Sequence, residues 1–344
     1  MSTRRRKIKF SVIGCGRWGK KHAEIYKHSP YSELVAVCDL DSKRAAEMAK
    51  EYSVNYYTDY EEMFKSEEID AVGITTPDFA HADPIISAAM HNKQILCEKP
   101  LVTKEEDLEK VIEVINRKKV RIMVDYHNRW NVPFAITKEK VVSGELGKPI
   151  NAYVRQNDTI YVAADGYLPW SGKSSSLWFL GSHSVDTVSW IFGERVKKVY
   201  SVSREGVLKG KGINCADTYL STLEFEKGGV AQVENGWITP NTNPFIIDFK
   251  FDLQCTKAKV DINFSNSNYF QICSESRVEN PDFINHKIFG SDRGFISDSI
   301  KDFIRNIYFD EEFLVKFEES INVNRVLFAI LNSDNKGEAI IVKY

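Results

Sequence analysis

The chain contains 344 residues, and at roughly 100–200 residues per domain this length predicts two domains. Hydrophobic residues make up 43% and charged residues 27%, which is typical of a soluble globular protein. The formal net charge of -2 provides no basic field to attract nucleic acid or an anionic membrane. No stretch approaches the roughly 18 apolar residues that a membrane span requires, so neither kind of partner is expected.

The N-terminus and the cysteines bear on the compartment of the protein. Met1–Lys7 is basic, but the apolar run after it, Ile8–Ile13, leads straight into glycines rather than a cleavage site, so a solvated end is predicted. The cysteines are widely separated: Cys15, Cys38, Cys97, Cys215, Cys255 and Cys273. No two have the CxxC spacing of zinc or redox sites, so reduced thiols in a cytoplasm are the simplest expectation.

The first third of the chain alternates strand and helix patterns. Strands are predicted at Ile8–Ile13, Glu33–Cys38, Val72–Thr75, Gln94–Cys97 and Val120–Val124. Helices are predicted at Trp18–His28, Ser42–Tyr52, Phe79–His91 and Lys104–Lys118. Ser42 is expected to cap its helix, and Thr103 is expected to form a capping box with Glu106. The alternation predicts an α/β domain with a parallel sheet covered on both faces, and ligands bind at the carboxyl ends of such strands.

A glycine-rich loop, Gly14-Cys15-Gly16-Arg17-Trp18-Gly19, follows the first predicted strand. Gly14 permits the tight turn, Gly16 lets the backbone approach a pyrophosphate, and Gly19 lets the next helix pack closely on the strand. The N–H groups and the dipole of the helix start would then bind the phosphates. Because the loop ends a strand and opens a helix, it predicts a dinucleotide site rather than a structural glycine turn alone.

Asp39 ends the second predicted strand, close to the ~20-residue spacing expected of the acid that binds the adenosine ribose. Its charge would repel a 2′-phosphate, which favours NAD over NADP. Lys43 and Arg44 follow it in the sequence. Either could bend back to a phosphate, or both could lie on a solvated helix face.

Two polar segments follow later strands at the same edge of the sheet. Thr75-Thr76-Pro77 ends one strand, and Thr76 offers a hydroxyl close to the expected cofactor. His81, near the start of the next helix, is either a ligand or a capping or surface residue.

Glu98-Lys99-Pro100 ends the next strand along the chain. Lys99 can hydrogen-bond a substrate hydroxyl and favour its alkoxide during hydride loss. Glu98 could orient Lys99 or contact the nicotinamide ribose. The alternative is a salt bridge at the surface.

Beyond Tyr126 the regular alternation of strand and helix patterns ends. Helices are predicted at Asn131–Gly144, Ser175–Phe192, Phe295–Ile307 and Ile321–Asn332, with Gly193 stopping the second. Strands are predicted at Ile150–Gln156, Val196–Ser203, Thr218–Phe225, Val230–Trp237, Phe245–Gln254 and Lys259–Phe264. This pattern predicts an α+β domain with a large, mostly antiparallel sheet and helices on one face.

Within the predicted helix Ser175–Phe192 lies Gly181-Ser182-His183-Ser184-Val185-Asp186. His183 and Asp186 are three residues apart and so share a helix face. Histidine is the side chain best suited to exchange a proton near neutral pH. The alternative is a core histidine bonded to Asp186.

These motifs resemble the Gfo/Idh/MocA family of sugar and cyclitol oxidoreductases over nearly the whole chain. The resemblance is carried by residues 14–19, Asp39, 75–77, 98–100, 126–130 (Tyr-His-Asn-Arg-Trp), 181–186 and the closing segment 324–342. It implies a dinucleotide-binding Rossmann domain over residues 1–126. It also implies a substrate-binding and oligomerisation α+β domain over residues 127–344, whose sheet would join a homodimer or homotetramer.

The resemblance also implies roles for particular residues. Lys99 matches the active-site lysine of the family, and His183 matches its catalytic histidine, which takes the hydroxyl proton as hydride passes to nicotinamide. The cofactor, NAD, is expected to contact Gly14, Gly16, Arg17, Trp18, Gly19, Asp39, Thr75, Thr76, Pro77, His81, Glu98, Lys99 and Asn128. The substrate is expected to contact Lys99, Arg129, Tyr161, Trp170, His183 and Asp186. No metal is expected.

One position departs from the family pattern. The family often has an aspartate four residues before the histidine, where this chain has Phe179. Asp158 or Asp165, in the segment before the helix, could supply a carboxylate from another direction. That segment also carries Tyr161, Tyr167 and Trp170, which form either a sugar-stacking set or an ordered surface loop.

The function expected from these features is an NAD-dependent oxidoreductase acting on a secondary hydroxyl or keto group of a sugar, sugar nucleotide or cyclitol. One alternative is a non-catalytic sensor or scaffold of the same family that binds the dinucleotide. The other is a lyase or glycosidase that uses transient oxidation by a retained NAD.

Overall fold

The computed structural model describes residues 6–265, 272–276, 278–279, 284 and 286–344. Two compact units divide the chain: Met1–His127 with Asn285–Ile321, and Asn128–Ile284 with Asn322–Tyr344. The expected division into domains at 126/127 stays a prediction, and residues 285–321 group with the first unit. Residues 1–5 of the basic N-terminal end lie outside the described residues.

The secondary structure is as follows. The strands are β1 (Ile8–Ile13), β2 (Ser32–Cys38), β3 (Asn55–Tyr57), β4 (Ala71–Ile74), β5 (Gln94–Cys97), β6 (Ile122–Val124), β7 (Pro149–Thr159), β8 (Val196–Arg204), β9 (Thr218–Phe225), β10 (Val230–Thr239), β11 (Ile247–Cys255), β12 (Lys259–Asn263), β13 (Ile272–Cys273), β14 (Val278–Glu279), β15 (His286–Ile288), β16 (Ser291–Arg293) and β17 (Ile340–Ile341). The α-helices are α1 (Arg17–His28), α2 (Ser42–Tyr52), α3 (Tyr60–Ser66), α4 (Ala82–Met90), α5 (Glu105–Lys118), α6 (Val132–Val142), α7 (Ile160–Ala164), α8 (Ser182–Phe192), α9 (Phe295–Phe309) and α10 (Phe317–Lys336).

A six-stranded parallel sheet forms the centre of the first unit, in the order β3-β2-β1-β4-β5-β6. The order reverses between β1 and β4, where doubly wound sheets bind dinucleotides. Helices cover both faces of such a sheet, which is why β4 reads as an unbroken apolar run and is buried throughout. Helices α1 and α9 pack together, and Phe10 of β1 stacks on Tyr26 at 4.2 Å and meets Phe303 edge-on at 6.1 Å.

Two expected helix caps are wrong, although the predicted bounds Ser42–Tyr52 are those of α2. Helix α2 is capped by Asp41, whose carboxylate accepts the N–H groups of Lys43 and Arg44, so Ser42 is already inside the helix. Helix α5 begins at Glu105 after an extended Lys104 and has no side-chain cap, so the capping box of Thr103 is not formed.

A seven-stranded sheet forms the second unit, in the order β12-β11-β7-β10-β9-β8-β17. Strands β7 and β10 are parallel, and the other neighbours are antiparallel. Helix α8 packs on β7 and β10 and is covered in turn by α6. The opposite face carries exposed apolar side chains: Tyr153, Tyr200, Leu220 and Ile341. The predicted fold class, a Rossmann domain with a parallel sheet followed by a mostly antiparallel α+β domain, is confirmed.

The predicted helix Ser175–Phe192 has two parts. A π-helical turn over Leu177–Gly181 leads into α8, which ends at Gly193 with φ 67° in the left-handed region. The π turn contains Phe179, and α8 begins one residue before His183.

No helix in the described part of the chain is long and apolar enough to cross a membrane. All six cysteines fall within the described residues, and none of them forms a disulfide there.

Candidate functional site

The glycine loop has the tight geometry that its sequence predicts. Gly14 has φ +98°, and a Cβ there would lie 2.7 Å from the carbonyl carbon of Thr75. A Cβ on Gly19 would lie 1.8 Å from the Gly14 carbonyl oxygen. Helix α1 therefore packs directly on the loop, and a side chain at either position would force the two apart.

Gly16 differs, because a Cβ there would meet nothing within 4 Å. It is the N-cap residue of the 12-residue helix α1, whose first turn contains no acidic residue and whose start has no side-chain cap. The start of α1 thus has no side-chain cap and no carboxylate of its own, and an anion would be stabilised there. These residues fit the pyrophosphate of NAD.

Two further loop residues open α1. Arg17 is exposed, and Trp18 is half-buried with its ring stacked on His127 at 6.0 Å between centroids. Both stay predicted cofactor contacts.

Asp39 lies at the carboxyl end of β2, close to the glycine loop. Its Oδ2 accepts the N–H of Cys15 at 2.7 Å, and its Oδ1 accepts the N–H of Asp41 at 2.9 Å. Oδ1 retains a lone pair for a ribose hydroxyl, whereas Oδ2 accepts a second hydrogen bond, from Arg44. Arg44 is half-exposed and places its guanidinium 3.3 Å from Asp39 Oδ2. Contact of Lys43 or Arg44 with a phosphate stays a prediction, as does the alternative of a solvated helix face.

The segment after β4 is held by main-chain carbonyls. Thr75 donates its hydroxyl to the Gly14 carbonyl at 2.6 Å, and Thr76 donates to Ala80 at 3.0 Å. His81 is buried, with Nδ1 2.7 Å from the Pro100 carbonyl and Nε2 3.0 Å from the Thr76 carbonyl. His81 therefore ties the strand ends together, and its predicted contact with the cofactor, like that of half-buried Pro77, is untested.

Lys99 follows β5 and is 6% exposed, in a pocket of buried polar groups rather than at a surface salt bridge. Its neighbour Glu98 lies 3.3 Å from Nε2 of His22, a histidine on the inner face of α1. Asp125, directly after β6, completes this group, because one ring nitrogen of His22 and one carboxylate oxygen each of Glu98 and Asp125 lie within 4.8 Å of one another. The alternative of an exposed ion pair at Glu98-Lys99 is wrong.

Burial and neighbouring charges shift the pKa values of these buried groups in different directions. Burial opposes the charge of Glu98, but the hydrogen bond and charge of His22 and the charge of Lys99 hold the pKa of Glu98 below its usual value. Burial, followed by the Glu98 charge, raises the pKa of Asp125 well above its usual value. Burial lowers the pKa of His127 to about 4, so this imidazole is neutral at pH 7.

The second unit holds the remaining predicted residues. His183 lies in the first turn of α8 and is 5% exposed. Arg129 donates Nε and Nη2 to the two carboxylate oxygens of Asp186 at 3.1 and 2.6 Å, and both residues are buried. Asn128 donates to the Thr187 hydroxyl at 3.4 Å. Asp186 is thus paired with Arg129. Contacts of either residue with the substrate stay predictions.

An aromatic cluster surrounds Phe179. Its ring lies 5.8 Å from Trp237 and 6.4 Å from Trp170. These rings pack with a buried apolar cluster that includes Val162, Leu168, Leu180 and Leu208. The position where the family often has a carboxylate is therefore apolar in this chain.

The segment before the π turn is ordered and mixed in character. Tyr161 is exposed and packs edge-on to Tyr167 at 5.9 Å. Asp158 is buried near the end of β7, while Asp165 is exposed and accepts from Asn241 at 2.8 Å. That Asp158 or Asp165 supplies the carboxylate that is absent at position 179 stays a prediction.

Sequence reasoning missed His22 and Asp125. Asp125 follows the carboxyl end of a strand and so carried the same positional signal as Asp39 and Lys99. His22 lies four residues before Tyr26 on an otherwise apolar helix face, which gives no signal of its partners.

This fold and this glycine loop define the chain as a dinucleotide-binding oxidoreductase of two-domain architecture. A family model for the oxidoreductase NAD-binding Rossmann fold matches residues 8–126, and one for the GFO/IDH/MocA C-terminal domain matches residues 134–261. The chain belongs to the Gfo/Idh/MocA family, as its motifs predict.

Relatives and solved structures agree with this assignment. The myo-inositol 2-dehydrogenase of Thermotoga maritima is 30% identical over 234 residues, which cover 66% of this chain and 68% of that protein. The crystal structure of myo-inositol 2-dehydrogenase from Lactobacillus plantarum superposes with a TM-score of 0.84 at 21% identity, covering 98% of this chain and all of that one. Scyllo-inositol dehydrogenase from Lactobacillus casei, with bound NAD(H) and scyllo-inositol, gives 0.82 at 19% identity, covering 98% and 99%.

Proposed function

We propose that the protein is an NAD-dependent dehydrogenase that moves hydride between nicotinamide and a secondary hydroxyl or keto group of a cyclitol, sugar or sugar nucleotide. The observation that carries the proposal is the buried Lys99 at a strand end of a unit whose glycine loop fits NAD. The names of the relatives support a cyclitol among these substrates. Asp39 favours NAD over NADP, because its carboxylate would repel the 2′-phosphate of NADP.

Each proposed catalytic residue has one role. Bound NAD supplies the hydride acceptor. Lys99 donates a hydrogen bond to the substrate oxygen and stabilises the charge that develops as the hydroxyl proton leaves. His183 accepts that proton at an imidazole nitrogen and returns it in the reverse reaction.

The remaining predicted contacts belong to this proposal. The loop Gly14–Gly19, Asp39, the segment 75–77, His81, Glu98 and Asn128 would serve the cofactor. Arg129, Tyr161, Trp170 and Asp186 would serve the substrate.

Lys99→Ala and His183→Ala test the assignment. Each variant is expected to lower kcat by ~10²-fold or more, the usual scale of lost acid–base help. The reduced-nicotinamide absorbance is followed with a panel of inositols, sugars and sugar nucleotides. Lys110→Ala and His28→Ala, which change exposed residues of the same types, are the controls and should keep full turnover. Near-normal turnover in both test variants would contradict the assignment.

The non-catalytic alternative is favoured by one observation, the aromatic surroundings of Phe179. Tight NAD binding with no chemistry on any substrate of the panel would support a sensor or scaffold. Product formation without net reduction would support a lyase or glycosidase with a retained NAD.

We also propose that the exposed apolar face of the second sheet joins copies of the chain in a homodimer or homotetramer. Tyr153 and Leu220 on that face are 58% and 51% exposed, which is costly for large apolar side chains in water.

A further inference from the structure

His22, Glu98 and Asp125 form a buried group in the first unit, of which the proposed function uses only Glu98, as a cofactor contact. Their exposures are 0%, 4% and 0%. His22 directs Nε2 to Glu98 at 3.3 Å and Nδ1 to the Tyr26 hydroxyl at 3.0 Å. Neither carboxylate oxygen of Asp125 has a hydrogen-bond partner among the described residues.

Two carboxylates this close in a buried site cannot both ionise readily. Glu98 is the one that keeps its charge, because His22 bonds it and Lys99 is adjacent in the chain. Asp125 lacks a bond of this strength, because its neighbour Ser299 is uncharged and donates its hydroxyl to the Ile296 carbonyl at 2.8 Å.

We propose that Asp125 is a positioning residue that carries a proton at neutral pH, so that the Glu98–Asp125 pair holds one negative charge beside the Lys99 ammonium. A single buried carboxylate charge balances a single ammonium, which keeps Lys99 in place without a second desolvated charge. The effect on Lys99 as a substrate ligand rests on the proposed dehydrogenase function, whereas the proton on Asp125 does not.

The groups that act on Asp125 come from each element around it. They are Cys97, Glu98 and Lys99 at the end of β5, His22 and Tyr26 of α1, and Ser299 of α9. Burial and the Glu98 charge favour the protonated form, and Ser299 and Lys99 oppose them without reversing the direction of the pKa shift.

Asp125→Asn replaces the acid by an uncharged side chain of the same shape and tests the proton directly. Between the unfolded-state pKa of ~4 and the raised folded-state pKa, the folded wild type binds more protons than the unfolded chain, so its stability falls as pH rises. The variant lacks this loss. The ratio of its folding constant to that of wild type, from urea titrations, is expected to rise about tenfold per pH unit between about pH 5 and 7.

A ratio that is flat or that falls with pH would overturn the proposal. A falling ratio is also the expected result if the three side chains bind a divalent cation, because Asp125 would then be ionised. Asp310→Asn, in which the replaced side chain is 83% exposed, is the matched control and should give a flat ratio.

If the Asp125→Asn variant does not fold, infrared spectroscopy of the wild type still tests whether Asp125 carries a proton. Protein labelled with ¹³C-aspartate should show, at pH 7, an isotope-shifted carbonyl stretch of a protonated carboxylic acid. Absence of that band would refute the proposal. Neither measurement uses turnover. Failure of the proposal about Asp125 can therefore be distinguished from failure of the dehydrogenase assignment.

The link to Lys99 is tested by rescue. Asp125→Asn is expected to retain kcat within about threefold of wild type, while Asp125→Ala, which leaves a gap beside Glu98, should lower it ~10-fold through misplacement of Lys99. NAD affinity should be equal in the two variants. An equally low kcat in both would overturn the positioning role.

Discussion

Replacing Gly16 by alanine separates cofactor binding from folding. Its backbone, with φ -74° and ψ -164°, is open to any residue, and the added methyl group meets nothing within 4 Å. Replacing glycine by alanine at an N-cap costs roughly 0.5–1 kcal/mol, which corresponds to about 1–4 °C in Tm for a cooperative unit of ~150–250 residues. The methyl group does occupy the space through which a pyrophosphate would approach. NAD binding is expected to weaken at least tenfold, about 1.4 kcal/mol.

Gly19→Ala is the contrasting variant in the same loop. Its Cβ would lie 1.8 Å from the Gly14 carbonyl oxygen, whereas ordinary contact begins at 3.4 Å, so α1 and the loop must separate by 3.4 − 1.8 = 1.6 Å. Overpacking of this kind costs about 1–3 kcal/mol and occasionally more, and the upper end corresponds to a fall in Tm of about 6–12 °C.

Calorimetric titration with NAD and thermal unfolding of the unliganded protein distinguish the two variants. Gly16→Ala should lose affinity with a fall in Tm of at most about 4 °C, while Gly19→Ala should lose affinity and show the larger fall in Tm. If Gly16→Ala binds NAD as tightly as wild type, the phosphates do not lie at Gly16. If Gly19→Ala melts with wild type, the close packing of α1 on the loop is wrong.

Three further predictions concern specificity, stability and assembly. Asp39→Ser should raise the NADP-to-NAD ratio of kcat/KM at least tenfold, because the repelling carboxylate is gone and Arg44 is released, and an unchanged ratio would exclude Asp39 from the ribose site. Arg129→Met should cost about 3–5 kcal/mol of unfolding free energy in urea titrations by leaving Asp186 buried and unpaired, and Arg129→Met with Asp186→Leu should recover more than half. Light scattering should give the mass of a dimer or tetramer, and Leu220→Arg, on the exposed sheet face, should dissociate it; a monomeric wild type would contradict the interface.

The strands and helices around the glycine loop follow from the sequence because each has a complete local pattern. The runs at β1 and β5 are apolar and bounded, and their predicted limits are confirmed. Strand β3, with three residues, and helix α3, with seven, are too short for periodicity to identify. The α2 cap was missed because Asp41 and Ser42 are both good caps in adjacent positions, and only the observed bonds choose between them.

Long-range features could not be predicted in the same way. Nothing local in residues 285–321 indicates that they group with the first unit, because that depends on contacts such as Phe303 with Phe10. The glycine loop could be predicted because its three glycines lie within six consecutive residues and each has a known role in binding a dinucleotide. The His22–Glu98–Asp125 group joins residues far apart in sequence and becomes visible only after the sheet is assembled.

The composition of the first unit has a consequence for biosynthesis. Its sheet is encoded before residue 127, but α9, which packs on α1 and places Phe303 against Phe10, begins at Phe295. At ~5–20 residues per second, the ribosome needs on the order of 10–30 s to make the intervening chain. For that interval the nascent sheet has an uncovered aromatic surface. The emerging polypeptide is therefore expected to depend on a holding chaperone until α9 has been synthesised and has left the exit tunnel.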